Sequence, residues 1–227
     1  MRNEDQHYMH CLRLVILDMD GLMFDTERMS LSSWREAASD FGLDLTEYFL
    51  FSMMGKNRNG IMNLFNREFG PNVFEQVNER KNTIMWNRIK TEGVIPKKGL
   101  LELLSFLEEH GILRAVATSS PDITANRYLN YANITSRMNA VITGDQVEMG
   151  KPAPDIFIKA LQWFNCAPEN ALVLEDSKNG LLAANAAGIK CILVPDIVKP
   201  DSESLTKAYF VAEDLLEVKN LIKLEIE

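Results

Sequence analysis

Residues 12–27 read LRLVILDMDGLMFDTE. Within them, 13–17 is an apolar run rich in branched side chains, too short for a helix and suited to a strand buried on both faces. Two carboxylates, Asp18 and Asp20, follow at once, and Gly21 comes next. Comparable runs recur at 113–117, 140–143, 171–174, 190–194 and 208–212. Helical periods separate them. In PKKGLLELLSFLEEHG (96–111), Leu100, Leu103, Leu104 and Leu107 have the spacing of one helix face, and Gly111 stands where a helix end is capped. Residues 154–164 open with a proline, which the first turn of a helix tolerates, and the alanine-rich 177–187 ends at Gly188. Strands separated by helices imply parallel pairing through right-handed crossovers, hence an α/β fold with a doubly wound, Rossmann-like parallel sheet.

One stretch breaks the alternation. Residues 26–94 carry several helical patterns and no clear strand. Leu31, Trp34, Ala38 and Phe41 share one face of a helix expected over 28–41; further helices are expected over 60–69 and 74–90, with Gly70-Pro71 as the break between them. The expected organisation is therefore an α/β domain of residues 1–25 and 95–227, with an all-helical insertion at 26–94. The insertion holds nine Lys/Arg and nine Asp/Glu, so the chain's net charge of −8 resides entirely on the α/β part.

The 227 residues, 46% hydrophobic and 25% charged, suit an ordinary globular protein and exclude disorder as the main state. The acidic balance argues against a nucleic-acid partner. No apolar run approaches the roughly 20 residues of a membrane span, and residues 1–10 lack the apolar stretch of a signal peptide. Cys11, Cys166 and Cys191 show no paired spacing and read as reduced thiols, which points to the cytoplasm. The oligomeric state is left open.

In open parallel sheets, ligands sit beyond the carboxyl ends of the strands. The first strand end offers Asp18-Met19-Asp20-Gly21, the second Thr118-Ser119-Ser120, and the fourth Glu175-Asp176-Ser177; the third leads after a short loop to Lys151-Pro152. Taken singly, an Asp-x-Asp is common, Thr-Ser-Ser serves as a helix cap, and Lys-Pro is a loop. Their order, each at a strand end, points to a shared crevice. His7, His10 and His110 lie outside these clusters, so neither a histidine phosphocarrier nor a Ser-His-Asp triad is supported.

These motifs resemble those of the haloacid dehalogenase-like hydrolase superfamily. DMDGLMFDTE is similar to its first motif, AVATSS to the second, GKPAPDIF to the lysine motif, and VLEDSKNGLLAANAAG to the fourth. The helical insertion resembles the small cap of the β-phosphoglucomutase-like branch. The resemblance implies a phosphatase acting on a small phosphorylated metabolite. Asp18 would be the nucleophile that forms an aspartyl-phosphate, and Asp20 the general acid and then base. Thr118 and the Ser119 amide would hold phosphate oxygens. Lys151 would offset charge between Asp18 and the phosphate. Mg2+ would be held by Asp18, the Asp20 carbonyl and Asp176. Glu175 would stand behind these ligands, or act as a charge favoured at a helix start. Arg58, in MMGKNRNGIM, aligns with a cap arginine that grips a distal phosphate, and Lys56 stands beside it as a second basic group for substrate; the alternative for both is the solvated start of a helix. The carboxyl at Asp20 argues against a dehalogenase or phosphonate hydrolase. The mutase alternative calls for a histidine in the first cap helix, where this chain aligns Ser30. A non-catalytic binder on the same fold is a further alternative.

Overall fold

The structure, a computed structural model, describes residues 11–54, 56 and 58–226. The chain runs β1 (Leu14–Leu17), α1 (Thr26–Asp40), α2 (Glu47–Met53), α3 (Arg58–Phe69), α4 (Val73–Glu92) and α5 (Leu100–Glu109). It continues β2 (Leu113–Thr118), α6 (Asp122–Tyr131), β3 (Ala140–Thr143), α7 (Asp155–Phe164), β4 (Ala171–Glu175), α8 (Lys178–Ala186), β5 (Lys190–Leu193), α9 (Ser202–Lys207), β6 (Phe210–Val211) and α10 (Leu215–Ile226). Two compact units result. One is Thr26–Val94; the other contains the described residues up to Asp25 and from Ile95 onward.

The second unit is built on a six-stranded sheet in the order β3-β2-β1-β4-β5-β6. Its pairings are all parallel. Alternation along the strands assigns the two faces. Leu14, Ile16, Ala115, Ala117, Val173 and Cys191 pack with Ile156, Phe157 and Ala160 of α7 and Leu181, Ala183 and Ala184 of α8. Val15, Leu17, Val116, Leu172, Leu174 and Ile192 point the other way and are equally buried. Burial on both faces explains why these strands read as unbroken apolar runs. The four leucines expected on one face of α5 are all inaccessible to solvent. At the sheet edge the run 208–212 yields only a two-residue strand, with Phe210 36% exposed. A short edge strand limits unwanted pairing with other chains.

The helical unit is held by aromatic packing. Trp34 lies 5.3 Å from Phe65, Phe49 meets Phe65 edge-on at 5.2 Å, and Phe65 meets Phe74 at 5.6 Å. Ala37, Ala38, Leu45, Leu50, Met53 and Val77 complete this core. Across α1 and α4, Arg88 binds Glu36 and the Ser32 hydroxyl. Two readings of this unit need correction. Phe41 is not on the buried face of α1: the helix stops at Asp40 and Phe41 is 45% exposed. The chain turns there, with Phe41 N and Leu43 N both donating to Ala38 O, so the periodicity no longer carries Phe41 inward. The short helix α2 has no counterpart among the expected helices. Thr46 caps it by accepting from Phe49 N at 3.2 Å, and Phe49, Leu50 and Met53 bury its inner face.

Candidate active site

The chain order reverses beside β1: β2 and β3 build outward on one side, and β4 to β6 on the other. Such a switch point opens a crevice at the strand ends. Leu17 pairs with both Val116 and Leu174, so Asp18 emerges between Ala117 and Glu175. Asp18 N donates to Leu174 O at 3.0 Å, which holds its backbone in the sheet direction. Lys151 reaches the same point from the loop between β3 and α7. Its Nζ donates to Asp18 Oδ1, to Glu175 Oε1 at 2.6 Å and to Ala117 O at 3.0 Å, and lies 5.1 Å from the Phe157 ring. The Lys151 side chain is 5% exposed and that of Glu175 is fully buried. Buried charges persist only when paired and hydrogen-bonded, and here each is both.

The balance at Asp18 is informative. Burial lifts its carboxyl from 3.8 to about 8; Lys151 works against that lift, while Glu175 and Asp20 add to it. Burial also opposes the Lys151 ammonium, but Asp18 and Glu175 outweigh it and hold the lysine above its ordinary value. The cluster therefore keeps a fixed positive charge beside a carboxylate that is costly to ionise. A cation or a group bearing further positive charge would relieve that cost.

Glu175 is held at the N-terminus of α8. Its Oε2 accepts from Ser177 N at 3.0 Å and from Ser177 Oγ at 2.9 Å. Ser177 in turn caps α8 by accepting from Gly180 N at 3.1 Å. A Cβ on Gly180 would fall 1.8 Å from Glu175 Oε1, so the carboxylate occupies the space a larger residue would fill. Gly180→Ala is accordingly expected to push Glu175 off Lys151. Overpacking of this kind costs about 1–3 kcal/mol, to be read by urea unfolding, and turnover should fall with it. Unchanged stability and activity would show that Glu175 can be displaced without consequence.

Asp20 forms the centre of a neighbouring group. Its Oδ2 accepts from Ser120 Oγ at 2.8 Å, with Thr118 Oγ1 at the longer distance of 3.5 Å. The turn bearing Asp20 closes through Gly21 N to Phe24 O and Phe24 N to Met19 O, and Lys97 N donates to Met23 O. Phe24, fully buried, meets Tyr128 of α6 edge-on at 6.4 Å. Thr118 Oγ1 accepts from Ser120 N at 3.0 Å, and Ser119 is exposed at the strand end.

Among the described residues no three His, Cys, Asp or Glu side chains form a metal cage. Asp18 and Asp20 follow β1, Asp176 follows β4, its neighbour in the sheet, and all three offer only oxygen donors. That suits Mg2+, which takes one or two carboxylates and keeps waters and phosphate oxygens as its other ligands. The fit rests on the chemistry of the donors, which are oxygens alone with no sulfur or imidazole among them.

Arg58 and Lys56 belong to the helical unit. Arg58 Nη2 binds both oxygens of Glu75, at 2.8 and 2.5 Å, and its guanidinium stands 5.2 Å from the Phe74 ring. Lys56 is exposed. His110 ends α5, with Nδ1 2.8 Å from Phe106 O; His7 and His10 lie outside the described residues. Reading by sequence missed Ser120 as the partner of Asp20 and Gly180 as the seat of Glu175. The motif strings contain both residues, but their contacts reach across 100 residues in one case and between strand and helix in the other.

A family model described as haloacid dehalogenase-like hydrolase matches residues 15–194. A phosphorylated carbohydrates phosphatase of Thermotoga maritima is 32% identical over 216 residues, covering 91% of this chain and 98% of that protein. Validoxylamine A 7'-phosphate phosphatase of Streptomyces hygroscopicus subsp. limoneus is 27% identical over 214 residues, covering 91% and 96%. A crystal structure from Thermotoga maritima, provisionally named a beta-phosphoglucomutase, superposes with a TM-score of 0.80 at 29% identity and covers 94% of this chain and 99% of its own.

Proposed function

The chain belongs to the haloacid dehalogenase-like hydrolases and is a phosphoric monoester hydrolase; on that premise we propose that it cleaves a small phosphate monoester, a sugar phosphate or similar metabolite, through an aspartyl-phosphate on Asp18. The observation that carries the reading is the buried Lys151 ammonium bridging Asp18 and Glu175 at the reversal of the sheet, with Asp20 hydrogen-bonded nearby. Phosphoryl transfer asks for an in-line nucleophile, a proton donor for the leaving oxygen and neutralisation of equatorial charge. In the first step an Asp18 carboxylate oxygen attacks phosphorus, the bond from phosphorus to the ester oxygen breaks, and that oxygen takes a proton from Asp20. In the second, water attacks the phosphoryl group, gives a proton to Asp20, and the bond to Asp18 breaks. Lys151 offsets the charge that gathers between Asp18 and the phosphoryl oxygens, which Thr118 and the Ser119 amide help to hold.

Asp18, Asp176 and the Asp20 carbonyl would hold Mg2+, which when bound supplies charge neutralisation at the phosphoryl group. Activity is expected to vanish in excess EDTA and return with Mg2+. Ca2+, which accepts more ligands and looser geometry, should bind without restoring it. Full turnover in EDTA, or Ca2+ serving as well as Mg2+, would count against the assigned set.

Substrate choice is assigned to the helical unit, with Arg58 and Lys56 as its basic groups. Arg58 would bind a second anionic group in exchange for Glu75. A phosphorylated-carbohydrate relative supports the sugar-phosphate class. The mutase reading is favoured by the likeness to a provisional beta-phosphoglucomutase; Ser30, where a mutase would carry histidine, favours hydrolysis. A Mg2+-dependent screen of phosphorylated metabolites, read as kcat/KM with product identification, separates the two. Release of inorganic phosphate supports the phosphatase, and isomerised sugar phosphate supports the mutase. The three free cysteines are the ground for placing the enzyme in the cytoplasm.

A further inference from the structure

Ser120 immediately precedes Pro121, the residue that begins the first turn of α6, and no side chain caps that helix. Its hydroxyl is turned instead toward Asp20, donating to Oδ2 at 2.8 Å. The backbone of Ser120 is fixed at both ends. Its N donates to Thr118 Oγ1 at 3.0 Å, and its O accepts from Gly144 N at 3.1 Å. Gly144 approaches so closely that a Cβ there would lie 2.4 Å from Ser119 O. The loop after β3 thus clamps the end of β2, and the clamped residue aims one hydroxyl at Asp20.

We propose that Ser120 is a positioning residue for Asp20. By donating to Oδ2 it fixes the rotation of the carboxyl group and assigns the transferred proton to Oδ1. When Asp20 gives that proton to the leaving oxygen, the charge left on the carboxylate is met at Oδ2 by the Ser120 hydroxyl, which keeps its own proton throughout. The inference rests on the reading of Asp20 as proton donor.

The test compares p-nitrophenyl phosphate, whose leaving group departs without protonation, with phenyl phosphate, whose leaving group needs it. The ratio of kcat/KM values is the measure, because it reports steps only up to departure of the leaving group. Ser120→Ala should lower kcat/KM for phenyl phosphate by about 10- to 100-fold, within the range general acid catalysis contributes. For p-nitrophenyl phosphate the loss should stay below about threefold. Ser120→Thr, which keeps the hydroxyl, should recover most of the loss and shows that the site tolerates substitution. Asp20→Asn, measured alongside, should show the same selectivity more strongly. Equal losses on both esters for Ser120→Ala, or no loss, while Asp20→Asn remains selective, would overturn the role of Ser120 and leave that of Asp20 standing. A non-selective Asp20→Asn would overturn both.

Discussion

Asp18→Asn is expected to lower turnover by more than about 10^4-fold, the scale of loss when the nucleophile of a hydrolase is removed, while the chain stays folded. The amide is nearly isosteric and can still accept from Lys151, but it cannot attack phosphorus. The same substitution should change the dependence of stability on pH in metal-free buffer. The Asp18 carboxyl is lifted from 3.8 to about 8 by burial, with Glu175 and Asp20 adding and Lys151 opposing. A group whose folded value lies above its unfolded value stabilises fully below the unfolded value, and that contribution is lost as pH rises through the folded one. The parent should therefore lose stability relative to Asp18→Asn between about pH 4 and pH 8. Urea unfolding of both proteins across that interval measures it; parallel profiles would show that Asp18 ionises at no cost.

Lys151→Met should be the most damaging substitution for the fold of the site. It leaves Glu175, 0% exposed, without the buried ammonium that balances it, and takes from Asp18 the charge that opposes its upward shift. Removing one partner of a buried ion pair costs about 3–5 kcal/mol. Adding Glu175→Gln should restore part of that stability, since the stranded charge is then gone. Activity should stay low in the double variant, because the ammonium proposed to face the phosphoryl group is absent; a loss of roughly 10^2- to 10^3-fold in kcat matches the removal of one electrostatic contact to the transition state. A single variant as stable as the parent would mean that Glu175 needs no counter-charge in the native protein.

How much of this was legible in the sequence follows from the kind of order involved. Strand runs such as 171–174 are continuous because both faces of a parallel sheet are buried, so their positions could be read directly. Once the strands are placed, parallel pairing puts Asp18, Thr118 and Glu175 at one end of the sheet. The one-dimensional pattern carries no record of which groups touch within that set. Lys151 lies 133 residues from Asp18, and only the folded chain shows its ammonium between two carboxylates. Gly180 reads as a weak point in an alanine-rich helix, whereas its missing side chain makes room for Glu175. Ser120 reads as a helix cap, whereas its hydroxyl donates to Asp20. Arg58 shows its charge in sequence but not its hold on Glu75. Phe41 fails for a different reason: helical periodicity cannot see the turn that ends α1 ahead of it.

The most direct measurement is to locate the phosphoryl group on the protein. Asp20→Asn mixed with p-nitrophenyl phosphate and Mg2+ should form the phosphoenzyme, since that leaving group needs no acid, and hydrolyse it slowly, since the base for water is gone. Acid quenching followed by borohydride, which reduces an acyl phosphate to an alcohol, should convert Asp18 to homoserine in the peptide that carries it. A burst of p-nitrophenolate equal to the enzyme should accompany that change. A phosphoryl group found on any other residue, or steady hydrolysis with Asp18 unmodified throughout, would contradict the assignment of Asp18 as nucleophile.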